Sequence, residues 1–392
     1  METAKLLEII SRDEDSKHQF KANATNEISL AQEMVAFSNS GGGNLFIGVS
    51  NDGTFSGLHR DDMGRLNQLV SNAASQQVRP PINPQTENIS TPDGLVMMIV
   101  VSDGLSKPYM DKDGVIWIKS GADKRKATSR EEVQRLYQRA GLIHGDEIPV
   151  PGMTVSDLDN GYFNHFFENN FGETLEQQDV SLPDILQNMN LMSEGVLNIS
   201  GALLFSKQPN YKLPLFIVKA IAFPGNEIHE THYHDSKDIT GKLADIFQQS
   251  MSFVLGNIHH VQGDQDVNAL GQPEIPKITL EELIANALIH RDYFVSAPVR
   301  LFIFENRVEI ISPGHLPNNL TIENIKRGNS NIRNPILASF ATKILPYRGL
   351  GSGITRALRA YPNIHFEDDR DGNQFKVIVE RQTTPANGMG NQ

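Results

Sequence analysis

The sequence predicts an α+β protein of more than one domain, and three observations carry that prediction. Strand-like apolar runs and segments of helical period mix along the first third of the chain without a regular strand–helix–strand alternation. A stretch rich in prolines, glycines and acids, "GDEIPVPGMTVSD" from Gly145 to Asp157, interrupts the pattern. The 392 residues also exceed the roughly 100–200 that one domain ordinarily uses. The expected divisions are a first domain over residues 1–145, a middle α/β connecting region over 146–272, an α/β sandwich over 273–382 and a disordered tail over 383–392.

The elements follow in order. Ala4 to Ser11 reads as a short helix, followed by the acidic turn Asp13-Glu-Asp15 and a strand beginning near Phe20-Lys21. Apolar residues at Ile28, Ala31, Val35 and Ala36 give a helix over Glu27 to Asn39. Gly41 to Gly43 then form a turn before a buried strand, Asn44 to Ser50, and Asp52-Gly53 signals a tight turn into a second strand. Asp61 to Ala74 reads as a helix, while Leu95 to Val101 and Val115 to Lys119 read as strands. The Thr128–Glu132 segment carries an N-cap with acids in the first turn, opening a helix that stops at Gly141. Beyond the break, Phe163 to Met192 reads as helix, Gly201 to Phe205 and Leu215 to Ala222 as strands, and Ile239 to Ile258 as amphipathic helix. A polar linker, Gly263 to Pro276, precedes a helix from Leu280 and strands at Val299–Phe304 and Val308–Ser312. Two glycine loops alternate with helices before a last strand at Phe375 to Val379.

Composition narrows the function classes. There is no cysteine, hence no disulfide framework and no thiolate metal site. No apolar run approaches the roughly 18 residues a membrane helix needs, and the N-terminus lacks a signal-peptide pattern, so the cytoplasm is the expected location. A net charge of −12 argues against indiscriminate coating of nucleic acid. That charge is uneven: residues 1–141 hold 16 Lys+Arg against 18 Asp+Glu, and the remainder holds 19 against 29. A phosphate-binding surface is therefore expected in the first third.

Specific motifs sharpen this. Gln19-Phe-Lys21, "AFSNSGGGNLFIGVSNDG", the strand at Leu95, "KPY" at Lys107–Tyr109, "VIWIKSGADKRKA" and the closing helix together resemble the Schlafen AlbA-like domain, over roughly residues 1–140. The resemblance implies nucleic-acid binding, with DNA favoured over RNA. Some members of that family cleave RNA with three acids around a divalent metal, and the corresponding positions here are Glu14, Gln19 and Asp52. An amide at the second position holds a cation less well than a carboxylate, which favours binding over cleavage. The basic loop Lys119, Lys124, Arg125 and Lys126 supplies the expected phosphate contacts, with Lys21 next. Trp117, the single tryptophan, is expected in the core.

In the last third, "EELIANALIHRDY" puts Glu282 and Asn286 four apart, hence on one helix face. An acid able to orient water beside an amide able to hold magnesium suits phosphoryl hydrolysis. "SPGHLP" and "RGLGSGITRA" follow, the second opening a helix whose free N–H groups favour phosphate. With "RNP" at Arg333 to Pro335, residues 275–380 resemble the GHKL ATP-binding fold shared by gyrase B and histidine kinases, in the divergent form found behind Schlafen AlbA-like domains. By that resemblance Glu282 is the water-orienting base, Asn286 holds Mg2+, and Gly349, Gly351 and Gly353 line the phosphates of ATP. Arg333 and Asn334 join the ligand set, and His290 and Arg291 either reach phosphate or fix the turn after the helix. Ser312 and Gly314 stand where the family's adenine-binding aspartate motif begins, leaving a weaker grip on adenine.

The histidines of "EIHETHYHD" (His229, His232, His234) and the pair His259–His260 read as surface residues rather than a zinc site. No GxxxxGK[ST] loop occurs, which speaks against a P-loop helicase. The sequence thus predicts a homo-oligomeric, nucleotide-responsive DNA-binding regulator. The alternatives are a metal-dependent RNA nuclease and a non-catalytic scaffold.

Overall fold

The computed structural model describes residues 1–50, 52–228, 232–261, 271–317 and 320–381, and all but the side chain of Arg139 among them. The expected tail and His229 lie outside this set. The chain folds as two units, Met1–Ile143 and His144–Gln392, both mixing helices and sheet in the α+β manner. No helix among the described residues is long and apolar enough to cross a membrane.

In the first unit the buried strand runs Gly43–Ile47, inside a four-stranded sheet ordered His18–Lys21, Gly43–Ile47, Gly94–Val101, Gln85–Thr91. The first two strands are parallel and the other pairs antiparallel. A parallel pair needs a crossover, and the Glu27–Asn39 helix provides it. Successive side chains of the strands part to opposite faces. Leu45, Ile47, Met97 and Ile99 join Leu30 and Met34 of that helix and Leu66 of the Arg60–Asn72 helix, whereas Phe46, Val96 and Met98 join Leu6 of the Thr3–Ile10 helix. Burial on both faces explains the nearly continuous apolar run. Gly42 has φ +74°, and a side chain there would meet the backbone of Val101 and Asp103 at 2.7 Å. The glycine cluster therefore admits the neighbouring strand's exit. The second strand expected after Gly53 is reduced to a single bridge between Val49 and Phe55, because Asp52 closes the turn on Thr54 through its own carboxylate.

The second unit is built on a six-stranded sheet ordered Asp235–Ile239, Val218–Ala222, Val299–Ile303, Arg307–Pro313, Gln374–Glu380, Ile364–Asp369. Only the pair Val218–Ala222 with Val299–Ile303 is parallel. The division expected between residues 272 and 273 falls inside this unit, since strands on both sides of it share the sheet. Its core joins Val218, Leu301, Ile310 and Val377 of the sheet to Leu280, Leu283 and Ile284 of the Lys277–Ile289 helix and Phe247 of the Leu243–Asn257 helix.

Two expectations are corrected here. Gly201–Phe205 belongs to a helix, Ile199–Phe205, capped by Asn198 accepting from Gly201 N at 2.8 Å. All seven of its residues are buried, and an apolar run buried all round carries no period to tell strand from helix. The helix expected over Phe163–Met192 is two, Asn160–Phe171 and Leu182–Asn188, the first ended by Gly172 at φ +75°.

The stretch expected to break the chain also contains a buried acid. Asp146 Oδ2 accepts from Ile336 N at 2.9 Å and Leu337 N at 3.0 Å, capping the Pro335–Ile344 helix. Its Oδ1 is buried without a partner, and burial pushes the carboxyl up to about 6.

Candidate functional site

A cavity of about 970 Å³, its open mouth included, lies within the second unit. Its floor is Ile310 and Ser312 from the Arg307–Pro313 strand and Phe375 and Val377 from the Gln374–Glu380 strand. One wall is the Lys277–Ile289 helix, whose apolar sides enter the core and whose remaining face turns Glu282, Asn286 and, one turn on, His290 into the cavity. The glycine loop, Arg348 to Gly351 and Gly353, lines the rim together with Asn329 to Asn331, and Gly353 comes against Glu282 and Asn286.

Eight of the expected ligand residues thus meet in one place: Glu282, Asn286, His290, Ser312, Gly314, Gly349, Gly351 and Gly353. Gly349 and Gly351 have φ +68° and +70°, and Gly351 rests against the Gly328 carbonyl. Gly353 opens the Gly353–Ala360 helix, where Ser352 makes no side-chain cap, so the first amides are left for another acceptor. Asn286 Nδ2 donates to the Glu282 carbonyl at 2.6 Å. Glu282 is nearly inaccessible, at 2 % exposure, and its carboxylate pairs with Arg356. Burial raises its pKa, an effect that the positive charges of Arg356 and Arg348 oppose.

Other expectations need correction. Arg291, Arg333 and Asn334 are outside the lining. Arg291 is buried, donates to the Val295 and Ala297 carbonyls and stacks over Phe216 and Tyr293. Asn334 donates to the Ile289 and Arg291 carbonyls, and Arg333 to the His315 carbonyl at 2.7 Å. All three brace the turn after the helix, as backbone carbonyls buried there require donors. Gly314, at φ +97°, leaves room for Arg333 and Asp292 against its backbone. His290 bonds the Tyr347 hydroxyl at 3.0 Å, and burial pulls it down to about 4, so it is neutral at pH 7 and brings no charge to a phosphate.

In the first unit the expected basic loop is a hairpin, Trp117–Ser120 with Asp123–Lys126. Its cations are already engaged. Lys119 donates to Gln19 Oε1 at 2.7 Å and to the Ala122 carbonyl, and burial lowers its pKa. Lys124 meets Glu33 at 2.6 Å, with Lys21 on the same oxygen at 3.9 Å. Arg125 forms a two-pronged pair with Glu132. Lys126 lies 5.3 Å from the Trp117 ring centre and Lys124 5.9 Å.

Comparison with known proteins agrees with this two-unit arrangement. Residues 14–128 match the family described as "Schlafen, AlbA_2". Residues 296–379 match the family described as "Putative ATP-dependent DNA helicase recG C-terminal". The chain joins an AlbA_2 domain to a RecG-type C-terminal domain. Two solved structures resemble it distantly. The DIP2311 protein from Corynebacterium diphtheriae is 20% identical, with 96% of this chain and 80% of that one covered, at a TM-score of 0.46. The N-terminal domain of a putative ATP-dependent DNA helicase RecG-related protein from Nitrosomonas europaea is 17% identical, with 33% of this chain and 91% of that one covered, at a TM-score of 0.24. No curated protein matches. The pair of domains ties the chain to nucleic-acid-related function.

Within the AlbA_2 domain, the acids proposed for a metal have local duties. Glu14 accepts from Gln19 Nε2 at 2.6 Å and Phe20 N at 2.7 Å, and Asp52 holds its turn. Among the described residues no group of three or more His, Cys, Asp or Glu is placed to bind a metal. The sequence reading passed over Glu33, a 4 %-exposed acid that gathers Lys21 and Lys124. A charged residue among Leu30, Met34 and Phe37 was the available signal. In the RecG-type domain the reading passed over Arg356, although it stands one helical turn beyond Gly353, within reach of the acid.

Proposed function

We propose that the chain is a nucleotide-responsive DNA-binding protein, a transcriptional regulator, that binds ATP with Mg2+ weakly in its second unit and hydrolyses it slowly or not at all. The observation that supports this is the single cavity where Glu282, Asn286 and the glycine loop meet. The description of the RecG-type family, which names an ATP-dependent DNA helicase, favours the same ligands. Asn286 is the group to hold Mg2+, and the uncapped helix start at Gly353 is the place for phosphate oxygens. Ser312 at the cavity floor offers adenine a neutral hydroxyl in place of a carboxylate. A homo-oligomer in the cytoplasm belongs to the same reading.

Calorimetry tests the nucleotide half. ATP at millimolar Mg2+ should bind with about −4 to −6 kcal/mol, the range of millimolar to tens-of-micromolar affinity. Asn286→Ala should abolish the Mg2+-dependent part of that affinity. Absence of heat with every nucleotide tried would sink the reading. Trp117 reports on the other half, because two lysine ammoniums lie over its ring. Duplex DNA at low salt should change its emission, in a manner that ATP shifts and added salt reverses. An emission spectrum indifferent to both DNA and RNA would count against nucleic-acid contact at the hairpin.

A further inference from the structure

Glu282 is placed to activate water, but in this structure it has none of the room that task requires. Its Oε1 is taken by Arg356, and its Oε2 is buried without a hydrogen-bond partner. A β-carbon built on Gly353 would lie 2.5 Å from that Oε2, a clash, so the start of the Gly353–Ala360 helix packs against the acid's unpartnered oxygen with no space even for a side chain. Arg356 also lines the cavity, its side chain 22 % exposed, and its Nε is buried without a partner. The same helix therefore contributes both the phosphate cradle and the cation that occupies the acid.

The geometry points to Arg356 as a gate on hydrolysis: paired with Glu282, it leaves the pocket able to hold a nucleoside triphosphate while denying Glu282 the water it would deprotonate. The inference rests on the nucleotide reading given above. In the blocked step, water oxygen bonds to the γ-phosphorus, the bond from that phosphorus to the β,γ-bridging oxygen breaks, the diphosphate leaves, and the water proton passes to Glu282. Arg356 is thus a positioning residue, acting through Glu282.

The test uses the full chain as wild type, Arg356→Gln, Arg356→Lys and the double variant Arg356→Gln/Glu282→Gln, with fluorescent ATP for affinity and phosphate release for rate. Arg356→Lys keeps a positive charge beside the buried acid and protects the comparison if Arg356→Gln does not fold, though a point charge holds a carboxylate less firmly than the guanidinium fork. Phosphate release should rise in both single variants, by at least about tenfold in Arg356→Gln as general-base action returns, with no tightening of ATP binding. The double variant should fall back to the wild-type rate. Variants that bind ATP and release phosphate no faster than wild type would overturn the gate. Failure of wild type to bind ATP would instead remove the pocket reading beneath it.

Discussion

Replacing Gly351 by alanine should cost most of the ATP affinity proposed for the second unit, whereas replacing Gly256 by alanine should not. Gly351 sits at φ +70°, a conformation that costs an L-residue about 1–2 kcal/mol. Its new methyl would also collide with the Gly328 carbonyl, a backbone atom that cannot rotate away. The two loops forming the rim must separate, and each 1.4 kcal/mol spent bringing them back to the binding geometry is about a tenfold loss of affinity. Gly256, by contrast, lies within the Leu243–Asn257 helix with nothing inside 4 Å of the added carbon. Alanine there should stabilise by roughly 0.5–1 kcal/mol. Thermal melts without ligand and titrations with ATP·Mg2+ check both. If Gly351→Ala melts and binds as wild type does, the rim does not have the conformation described.

The second large effect concerns Asp146. Its carboxyl is raised from the ordinary 3.8 to about 6 in the folded protein, burial being the first cause. A raised acid gives stability that is complete below the unfolded value and lost as pH climbs through the folded one. Between pH 3.8 and about 6 this amounts to about 3 kcal/mol, roughly 6–12 °C in melting temperature for a unit of this size. Asp146→Asn keeps an oxygen for Ile336 N and Leu337 N but cannot titrate. Wild type should therefore gain on the variant as pH falls from 7 to 4, whatever other groups contribute to both. Melting curves that stay parallel over that range would refute the assignment. Asp146→Ala removes the cap itself and should destabilise at every pH, by roughly 2–4 kcal/mol, with two buried donors left unmet.

Much of the pocket was legible because its parts carry local signatures. Glu282 and Asn286 reveal their shared face by a spacing of four, and glycines at 349, 351 and 353 stand out against any background. What stayed hidden depends on partners distant in sequence. Arg333 and Asn334 look like ligands as polar residues beside a motif, yet their hydrogen bonds go to backbone carbonyls brought near only by folding, and Arg291, whose carbonyl partners are local, stacks on the distant Phe216. The basic run at Lys119–Lys126 reads as free charge until Glu33, Gln19 and Glu132 are seen to hold it. The same limit applies to the fold. The Gly43–Ile47 strand is plain between its glycines, whereas Gly201–Phe205 has no polar face to betray a helix. Asp235–Ile239, with four of five residues exposed, shows no apolar alternation to announce a strand at the sheet's edge.

That edge has a practical consequence. A fragment begun at residue 273 to isolate the pocket would lose both strands beyond Val299–Ile303. Val299–Ile303 would then present a bare row of amides and carbonyls along a mostly buried, apolar segment. Such a margin invites pairing with a second copy and precipitation. Val218 and Ala220, which roof the same core as Ile284 and Leu288, would be missing as well. Anyone wishing to study the ligand cavity alone should cut the chain no later than His144.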